Sequence, residues 1–372
     1  MIDAPAPDVT LLVGTRKGLF VARADTHRRH WRLEGPHMAG YEIQSAFADP
    51  RRPGTCFAAA HHPVWGIHVY RSRDQGHTWQ PLRDVPRHGE GDDDPTSLRM
   101  IWCLAPGADS EPDTLYAAIE PPGLFVSRDA GESWQPLEGF NHHPTRECWH
   151  PAKGGMAVHS VQVAPDDPAC VWLALSAGGV YRSTDGGVSF RPVNRGVRAP
   201  YLAQPEAAAG HCVHRIALHP ADPRRLYQQS HHGSYRSDDG GENWQEITEG
   251  LPSDFGYALA LDPSDADRLW VVPEESSQFR ATVDGRLRVY RSDDGGRHWQ
   301  PQTNGLPQEN VFVTILRDGL ASDSLEPTGL YLGTSSGHLF QSADAGGSWR
   351  LLAGYLPGIL CLHAQAAGRQ RQ

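Results

Sequence analysis

The sequence predicts an all-β fold, a seven-bladed β-propeller built from four-stranded antiparallel blades. A short motif recurs at near-constant spacing, and strand-like segments lie between its copies. The 39 glycines and 30 prolines among 372 residues also favour many turns over long helices. Length alone would suggest two or three domains, but an internal repeat takes precedence over that estimate. We therefore predict a single domain over residues 1–372, with loose tails at 1–8 and 367–372.

The repeated motif reads Ser-x-Asp-x-Gly-x-x-Trp, and one copy closes with Phe instead of Trp. Successive motif serines are 55, 56, 54, 55 and 50 residues apart. The six copies begin at Ser72, Ser127, Ser183, Ser237, Ser292 and Ser342. A worn seventh copy starts at Gly18, and Trp31 stands for its closing tryptophan. This count gives seven repeats.

Each recurring position of the motif has a structural interpretation. The Asp side chain at a hairpin tip can accept backbone N–H groups, and the Gly supplies a positive φ angle. The Trp is expected to pack back on the sheet, with its indole edge near solvent. We therefore interpret these residues as structural and not catalytic.

The remainder of each repeat reads as four short strands, named A to D along the chain. In the fifth repeat they cover 213–218, 225–230, 234–237 and 244–247, with the motif on the C–D turn. Four antiparallel strands at this period are typical of a propeller blade. The first segment of the chain matches a strand B and the last matches a strand A. The C-terminal strand should therefore join the N-terminal blade and close the ring, which removes open sheet edges.

Composition and charge exclude some classes of binding partner. The chain has 34 Lys and Arg against 44 Asp and Glu, a net charge of −10, without a basic patch of the nucleic-acid-binding type. No apolar run approaches the roughly 18 residues of a membrane span. The N-terminus does not read as a secretory signal, so we predict a cytoplasmic protein. Its six cysteines lack CxxC spacing and are interpreted as reduced thiols.

The motif is identified as the Asp-box, or BNR repeat. Over nearly its whole length the chain resembles a bacterial group of single-domain Asp-box propellers described as sialidase-like or glycosyl-hydrolase-like. Sialidases, xyloglucanase-type enzymes, sortilin ectodomains and photosystem II assembly propellers share the repeat. The resemblance implies the fold, whereas activity is divided between enzymes and binding proteins. The chain lacks the Phe/Tyr-Arg-Ile-Pro segment of sialidases and has room for one of the two propellers of xyloglucanase-type enzymes, so neither set of catalytic residues transfers.

The face that bears the D–A and B–C loops is the expected functional face. These loops vary in length, whereas most A–B turns are short and alike, and ligand sites lie on variable loops held by a rigid scaffold. One residue of each strand B serves as the reference for stacking the repeats: Leu12, Phe57, Tyr116, Trp172, Tyr227, Trp270 and Tyr331. The residue four positions after this reference is polar in every repeat. We expect these residues to ring the channel mouth: Arg16, His61, Glu120, Ser176, His231, Glu274 and Ser335.

The innermost strands are expected to line the channel. Counting six residues back from the turn proline places Met100, His159, His214 and Tyr257 at equivalent positions. The imidazoles of His159 and His214 could hold a divalent metal, with His231 or His232 and a carboxylate completing the set. The alternative is a hydrogen-bonded, water-filled channel that binds no metal.

These residues suggest an enzyme of the hydrolase or lyase type, acting on a small polar or anionic substrate, glycosides included. The catalytic candidates are His159, His214, Glu120 and Glu274, with the glutamates as an acid/base pair of the glycosidase kind. The substrate-binding candidates are Arg16, His61, Arg215, Ser176, Arg280 and Tyr257, with the arginines as a carboxylate clamp. Metal assistance remains open. The alternative is a non-catalytic propeller that binds a ligand or a protein partner.

Overall fold

The computed structural model describes residues 9–89, 97–150, 156–204 and 207–366. The predicted tails at 1–8 and 367–372 lie outside these ranges. The described residues form seven four-stranded antiparallel sheets, which confirms the predicted blade count. Each innermost strand packs against the innermost strand of the next blade, and the last of these contacts the first. The blades therefore form a closed ring around a channel.

Blades 1 to 3 use β1 (Val9–Thr15), β2 (Gly18–Ala24), β3 (Trp31–His37), β4 (Glu42–Ala48), β5 (Cys56–His62), β6 (Gly66–Ser72), β7 (Gln80–Pro81), β8 (Met100–Pro106), β9 (Leu115–Glu120), β10 (Gly123–Ser127) and β11 (Gln135–Pro136). Blades 4 to 7 use β12 (Val158–Ala164), β13 (Asp167–Leu175), β14 (Gly179–Ser183), β15 (Arg191–Pro192), β16 (Val213–His219), β17 (Asp222–Ser230), β18 (Gly233–Ser237), β19 (Gln245–Glu246), β20 (Gly256–Asp262), β21 (Asp265–Pro273), β22 (Val289–Ser292), β23 (Gln300–Gln302), β24 (Leu320–Ser322), β25 (Leu330–Gly333), β26 (Leu339–Ser342) and β27 (Arg350–Ala353). The final strand, β28 (Ile359–Ala366), belongs to blade 1. Short helical turns lie in the connections at Glu138–Asn141, Pro144–Cys148 and Val283–Gly285.

Ring closure follows the predicted pattern. In blade 1 the strand order is β28-β1-β2-β3, and Val9 pairs with Ala366 at one end of the seam. The reference residue of strand B is buried in all seven blades, at 3% exposure or less. Such burial stabilises by about 1.5–3 kcal/mol per large side chain. These residues are Leu12, Phe57, Tyr116, Trp172, Tyr227, Trp270 and Tyr331.

The Asp-box turns are held by a repeated set of hydrogen bonds. In the first intact copy, Ser72 Oγ donates to Asp74 at 2.7 Å and accepts from Gly76 N at 2.8 Å. Asp74 in turn accepts from the backbone N–H and the hydroxyl of Thr78, at 2.8 and 2.6 Å. Gly76 has φ +86°. The predicted structural roles of Asp and Gly are confirmed.

The worn copy in blade 1 replaces the motif glycine with an arginine. Trp31 Nε1 donates to Arg28 O at 3.0 Å, as Trp79 Nε1 does to Gly76 O in the next blade. Arg28 has φ +54° and is buried, and its guanidinium forms two 2.7 Å hydrogen bonds with Asp323 of blade 7. A buried bidentate ion pair therefore fastens the first blade to the last.

Six innermost strands carry a β-bulge near the variable face, so one residue of each lacks a partner on the neighbouring strand. Such a bulge re-aims a side chain. The unpartnered residues are Leu360, Gln44, Trp102, His159, His214 and Tyr257. In blade 7 the same position falls on Asp318, three residues before the partner of Tyr331.

The predicted register of the third repeat is wrong by two residues, because Met100 pairs with Glu120 and Trp102 takes the bulge position. The sequence prediction places Pro106 in the A–B turn and counts six residues back from it. Pro106 instead pairs with Leu115 inside the ladder. A longer A–B connection in this blade moves the turn outward.

Candidate active site at the channel mouth

Arg317 crosses the channel at its mouth. Its guanidinium carbon lies 5.4 Å from the ring of Trp102 in blade 3 and 5.3 Å from that of Tyr257 in blade 6. Beside it, the Arg215 guanidinium of blade 5 forms an ion pair with Asp318 and donates to Arg317 O at 2.9 Å. Burial lowers the pKa of Arg317 and lowers that of Arg215 to about 10. Arg215 is therefore ion-paired with Asp318, and both guanidinium groups lie partly exposed at the mouth.

Tyr257 is the centre of a cluster on the blade 5 to 7 side of the mouth. The ring of His214 stacks on it at 4.5 Å, and Arg280 lies over it at 5.9 Å. Within the described ranges, neither Arg280 nor Arg317 has a carboxylate within ion-pairing distance. The Nε atom of Arg317 is buried without a hydrogen-bond partner there. The guanidinium groups of this cationic region therefore have N–H donors available to an anion.

Glu274 follows β21 and is fully buried, at 0% exposure. Its Oε1 accepts from Ile315 N at 3.0 Å, whereas Oε2 is buried without a partner among the described residues. Burial raises the pKa of Glu274 to about 7, against the opposing effects of the Ile315 N–H and of Arg280. A carboxyl group with this pKa can give or take a proton near neutral pH, as general acid–base catalysis requires.

Three soft or borderline metal-ligand atoms converge next to this cluster. The ligand atoms of Cys212, His214 and His231 lie within 4.8 Å of one another. The rings of His214 and His231 meet edge to face at 5.4 Å. Burial and Arg317 hold the pKa of His214 well below its usual range, and burial, His232 and Arg280 lower that of His231. These surroundings therefore favour the neutral form of both imidazoles.

The other two histidines of the predicted metal set make hydrogen bonds or ion pairs elsewhere. His159 is buried, with Nε2 2.9 Å from Val213 O and Nδ1 3.2 Å from Ser160 Oγ. Burial, with Arg317 and His214, lowers the pKa of His159 well below its usual range. His232 lies 3.5 Å from Asp254. The structure thus brings His214 and His231 together with Cys212, and leaves the ring nitrogens of His159 already engaged.

The remaining predicted site residues lie in blades 1 to 4. Arg16 pairs with Glu42 at 3.2 Å, and the backbone N–H of buried Ser176 donates to Ala157 O at 3.1 Å. His61 has a buried Nδ1 without a partner among the described residues. Glu120 accepts from Trp102 Nε1 at 2.9 Å, which connects it through Trp102 to Arg317. The structure therefore gathers Tyr257, Arg280, Glu274 and His214, and leaves these four outside that cluster.

Sequence reasoning missed Arg317, Asp318, Trp102 and Cys212. The register of the seventh repeat was ambiguous, so its innermost strand offered no positions to compare. Once Ala321 is paired with Tyr331, counting back three residues reaches Asp318. Cys212 and His214 stand two residues apart in the sequence, a spacing that could have indicated a ligand pair but that the CxxC pattern does not include.

An exposed aromatic pair borders the cationic cluster. Phe279 and Phe312 are 53% and 62% exposed, with ring centroids 6.2 Å apart. Phe279 precedes Arg280, whose carbonyl accepts from Thr314 Oγ1 at 2.5 Å. Sugar rings and aryl groups pack on such faces, because they bury apolar surface while their polar edges stay hydrated.

A surface groove of about 840 Å³ lies elsewhere, beside β15 and residues 194–199 and 207–208. Two of its three arginines have carboxylate partners, because Arg191 pairs with Glu242 and Arg198 lies 2.9 Å from Glu246. Glu274 Oε2 and Arg317 Nε, both buried without a partner among the described residues, are at the channel mouth, and we place the candidate site there.

The fold and the repeat define this chain as a seven-bladed β-propeller that carries Asp-box repeats. The BNR/Asp-box repeat family model matches residues 235–246. A xyloglucanase of a Paenibacillus species is 28% identical over 235 residues, covering 55% of this chain and 21% of the relative. Xyloglucanase Xgh74A of Acetivibrio thermocellus is 26% identical over 276 residues, covering 65% of this chain and 30% of the relative. The chain therefore spans about a fifth to a third of these curated relatives.

Solved structures agree on the fold. The GH74 xyloglucanase of Xanthomonas campestris superposes with a TM-score of 0.63 at 16% identity, covering 97% of this chain and 52% of that one. YCF48 bound to D1 peptide gives 0.52 at 14% identity, covering 94% and 87%. An enzyme and a peptide-bound protein therefore share this architecture. Among the described residues, no helix is long and apolar enough to cross a membrane.

Proposed function

We propose that this propeller is an enzyme of the hydrolase or lyase type, whose substrate is a small anionic molecule, a glycoside of a sugar acid in the first instance. The proposal rests on Glu274, a buried acid with a near-neutral pKa and an oxygen that has no partner among the described residues, and on the charge of the exposed guanidinium of Arg280 that acts on it. Buried polar groups normally have partners, so groups without one at a mouth indicate a ligand that supplies it.

Roles follow from these positions. Arg280 and Arg317 bind the substrate carboxylate, and Tyr257 holds both guanidinium groups through its ring. Glu274 moves the proton. In hydrolysis it protonates the leaving oxygen while Glu120, as the opposite carboxylate, takes a proton from the water that attacks the anomeric carbon and replaces the leaving group. In elimination it removes the proton next to the carboxylate as the leaving group departs on the neighbouring carbon.

The relatives support the glycosidic part of the proposal, because those reported above are named xyloglucanases. The arginines favour an anionic sugar over a neutral one, since a guanidinium pairs most strongly with a carboxylate. A cytoplasmic location remains a prediction.

The test uses 4-nitrophenyl β-D-glucuronide, 4-nitrophenyl β-D-glucoside and polygalacturonate as probes, with release of nitrophenol or of an unsaturated product as the readout. We expect turnover of an anionic probe and little of the glucoside. Glu274→Gln should lower kcat about 10²–10⁴-fold, whereas the exposed neighbour Glu275→Gln should not change it. Arg317→Met should raise KM for the anionic probe. Wild-type turnover in Glu274→Gln would refute the proposal.

The second candidate is a non-catalytic propeller that binds a protein segment, and the exposed Phe279–Phe312 pair is the observation that favours it. The two functions separate at Glu274. A binding protein keeps its affinity for its partner in Glu274→Gln, because the exposed Phe279–Phe312 pair would hold the docked chain and no proton transfer is needed.

A further inference from the structure

We infer that Cys212, His214 and His231 form a binding site for a zinc-class divalent metal ion. The inference does not depend on the substrate proposed above. One sulfur and two imidazole nitrogens, all within 4.8 Å of one another, are the donor set that zinc prefers over magnesium or calcium, which take oxygen ligands. Three protein ligands with an open fourth position are typical of catalytic zinc sites.

His214 is oriented as a metal ligand would be. Its Nδ1 lies 2.6 Å from Gly256 O and must donate to that carbonyl, so the Nε2 lone pair is free. Metal-binding histidines typically donate their second nitrogen to a carbonyl or carboxylate in this way. Tyr257 stacks on the ring at 4.5 Å and Phe255 packs against it edge to face at 5.1 Å. The imidazole is therefore fixed before any ion arrives.

Backbone bonds hold the other two ligands to each other. His231 N donates to Cys212 O at 2.8 Å, and Ser230 Oγ donates to the same carbonyl at 2.9 Å. The N–H of Cys212 donates to the Tyr201 hydroxyl. The His231 ring packs edge to face against Phe255 at 5.2 Å. Cys212 is therefore anchored on both sides, and one of those anchors is the backbone of a second ligand.

The spacing fits after a small adjustment. Zn–N bonds of about 2.0–2.1 Å and Zn–S bonds of about 2.3 Å place tetrahedral ligand atoms roughly 3.3–3.8 Å apart. The observed upper limit of 4.8 Å is therefore reduced by side-chain rotations that move each atom by about an ångström or less. His231 is half-buried at the rim and has the freedom to make most of that movement.

The neighbouring charges determine what occupies the fourth position. Arg280 and Arg317 surround Tyr257, so a divalent ion adds to a positive region. A thiolate offsets part of this charge, and a fourth ligand that is an anion offsets more. We therefore expect the open position to take hydroxide or the anionic group of a substrate, which joins this metal site to the arginines.

The experiment measures metal on the full chain. The chelator-treated protein is dialysed against Zn²⁺ and analysed by mass spectrometry, and a second sample is loaded with Co²⁺ and examined by absorption spectroscopy. We expect stoichiometric zinc and a thiolate-to-cobalt charge-transfer band. Cys212→Ser should lose that band, and His231→Ala should weaken Zn²⁺ affinity by at least about tenfold.

Cys148→Ser and His232→Ala are the matched controls, because Cys148 is exposed and His232 stands next to the site without belonging to it. Both should keep stoichiometric metal. Sub-stoichiometric zinc in the wild-type protein, or unchanged binding in Cys212→Ser and His231→Ala, would overturn the inference. Glu274→Gln should retain the metal, so failure of the metal site and failure of the proposed catalysis give different results.

Discussion

The pKa values of carboxyl groups are shifted in opposite directions in the Asp-box turns and at the channel mouth. Asp74 accepts hydrogen bonds from Ser72 and Thr78, which outweigh the effect of partial burial and lower its pKa to about 2. Glu274 accepts one backbone bond, and burial raises its pKa to about 7. The same functional group is therefore firmly ionised in one region and close to its titration point in the other.

This difference separates scaffold from function within one repeating chain. At the turns, the motif serine of each intact copy donates to the motif aspartate of the same copy, so the geometry recurs from blade to blade. At the mouth, buried atoms of Glu274, Arg317 and His61 lack partners among the described residues. A buried polar group without a partner destabilises a fold, and a ligand bound at the mouth would supply the partner there.

The largest effect should come from breaking a buried charge pair that is fully satisfied. Arg28→Met leaves Asp323 buried without its cation, and we expect a loss of about 3–5 kcal/mol in the free energy of unfolding. Denaturant titration provides the measurement. Arg32→Met removes an 82%-exposed arginine from the same blade and should cost less than about 1 kcal/mol. Equal effects of the two substitutions would contradict the paired-charge account.

The pH dependence of stability should differ between the Asp-box turns and the channel mouth. Glu274 is the residue whose titration tests this at the mouth. Its pKa is about 7 when folded and near 4.5 in the unfolded chain. Its stabilising contribution is therefore complete below pH 4.5 and is lost as pH rises through about 7. The loss is on the order of 3 kcal/mol. Glu274→Gln should remove this part of the dependence in unfolding titrations at acidic and alkaline pH. An unchanged profile would show that Glu274 is ionised in the fold.

The aromatic rim should contribute a smaller term to binding. Phe279→Ala combined with Phe312→Ala should weaken the affinity for an aryl glucuronide about tenfold, because stacking on the two rings contributes about 1–1.5 kcal/mol. Isothermal titration calorimetry measures this directly. Tyr355→Ala, at a fully exposed position, is the control and should bind normally. Unaltered affinity in the double variant would exclude these rings from the substrate site.

The smallest effect belongs to a single Asp-box. Hydrogen bonds from His298 and Ser292 overcome partial burial and lower the pKa of Asp294 to about 2. Because that pKa lies below the usual 3.8, the stabilisation is present above pH 3.8 and lost as pH falls through about 2. Asp294→Asn should cost about 1 kcal/mol at neutral pH, after allowance for solvent screening. Asp25→Asn, in the worn copy, should cost less. A larger cost for Asp25→Asn would reverse the assignment of the worn repeat.

The fold was predictable because its information repeats. Six motif copies and the buried strand-B residues fixed the blades, and the match of the chain ends to strands B and A gave the closure. The site residues were predictable only at positions that recur from blade to blade. Glu274, Arg280 and Tyr257 were found, whereas Arg317 and Trp102 depended on strand registers that a displaced proline and an irregular seventh repeat obscured. The metal inference needed a contact between Cys212 and His231 that spacing does not encode.

The seam of blade 1 has a consequence for how the molecule assembles. Val9 and Ala366 are hydrogen-bonding neighbours, although nearly the whole chain separates them. Blade 1 stays incomplete until β28 has been synthesised, while blades 2 to 7 already contain all of their strands. Joining such distant segments carries the largest loop-closure entropy in the fold. The step that makes the ring continuous should therefore be among the last events of folding, and the Arg28–Asp323 pair forms at the same junction.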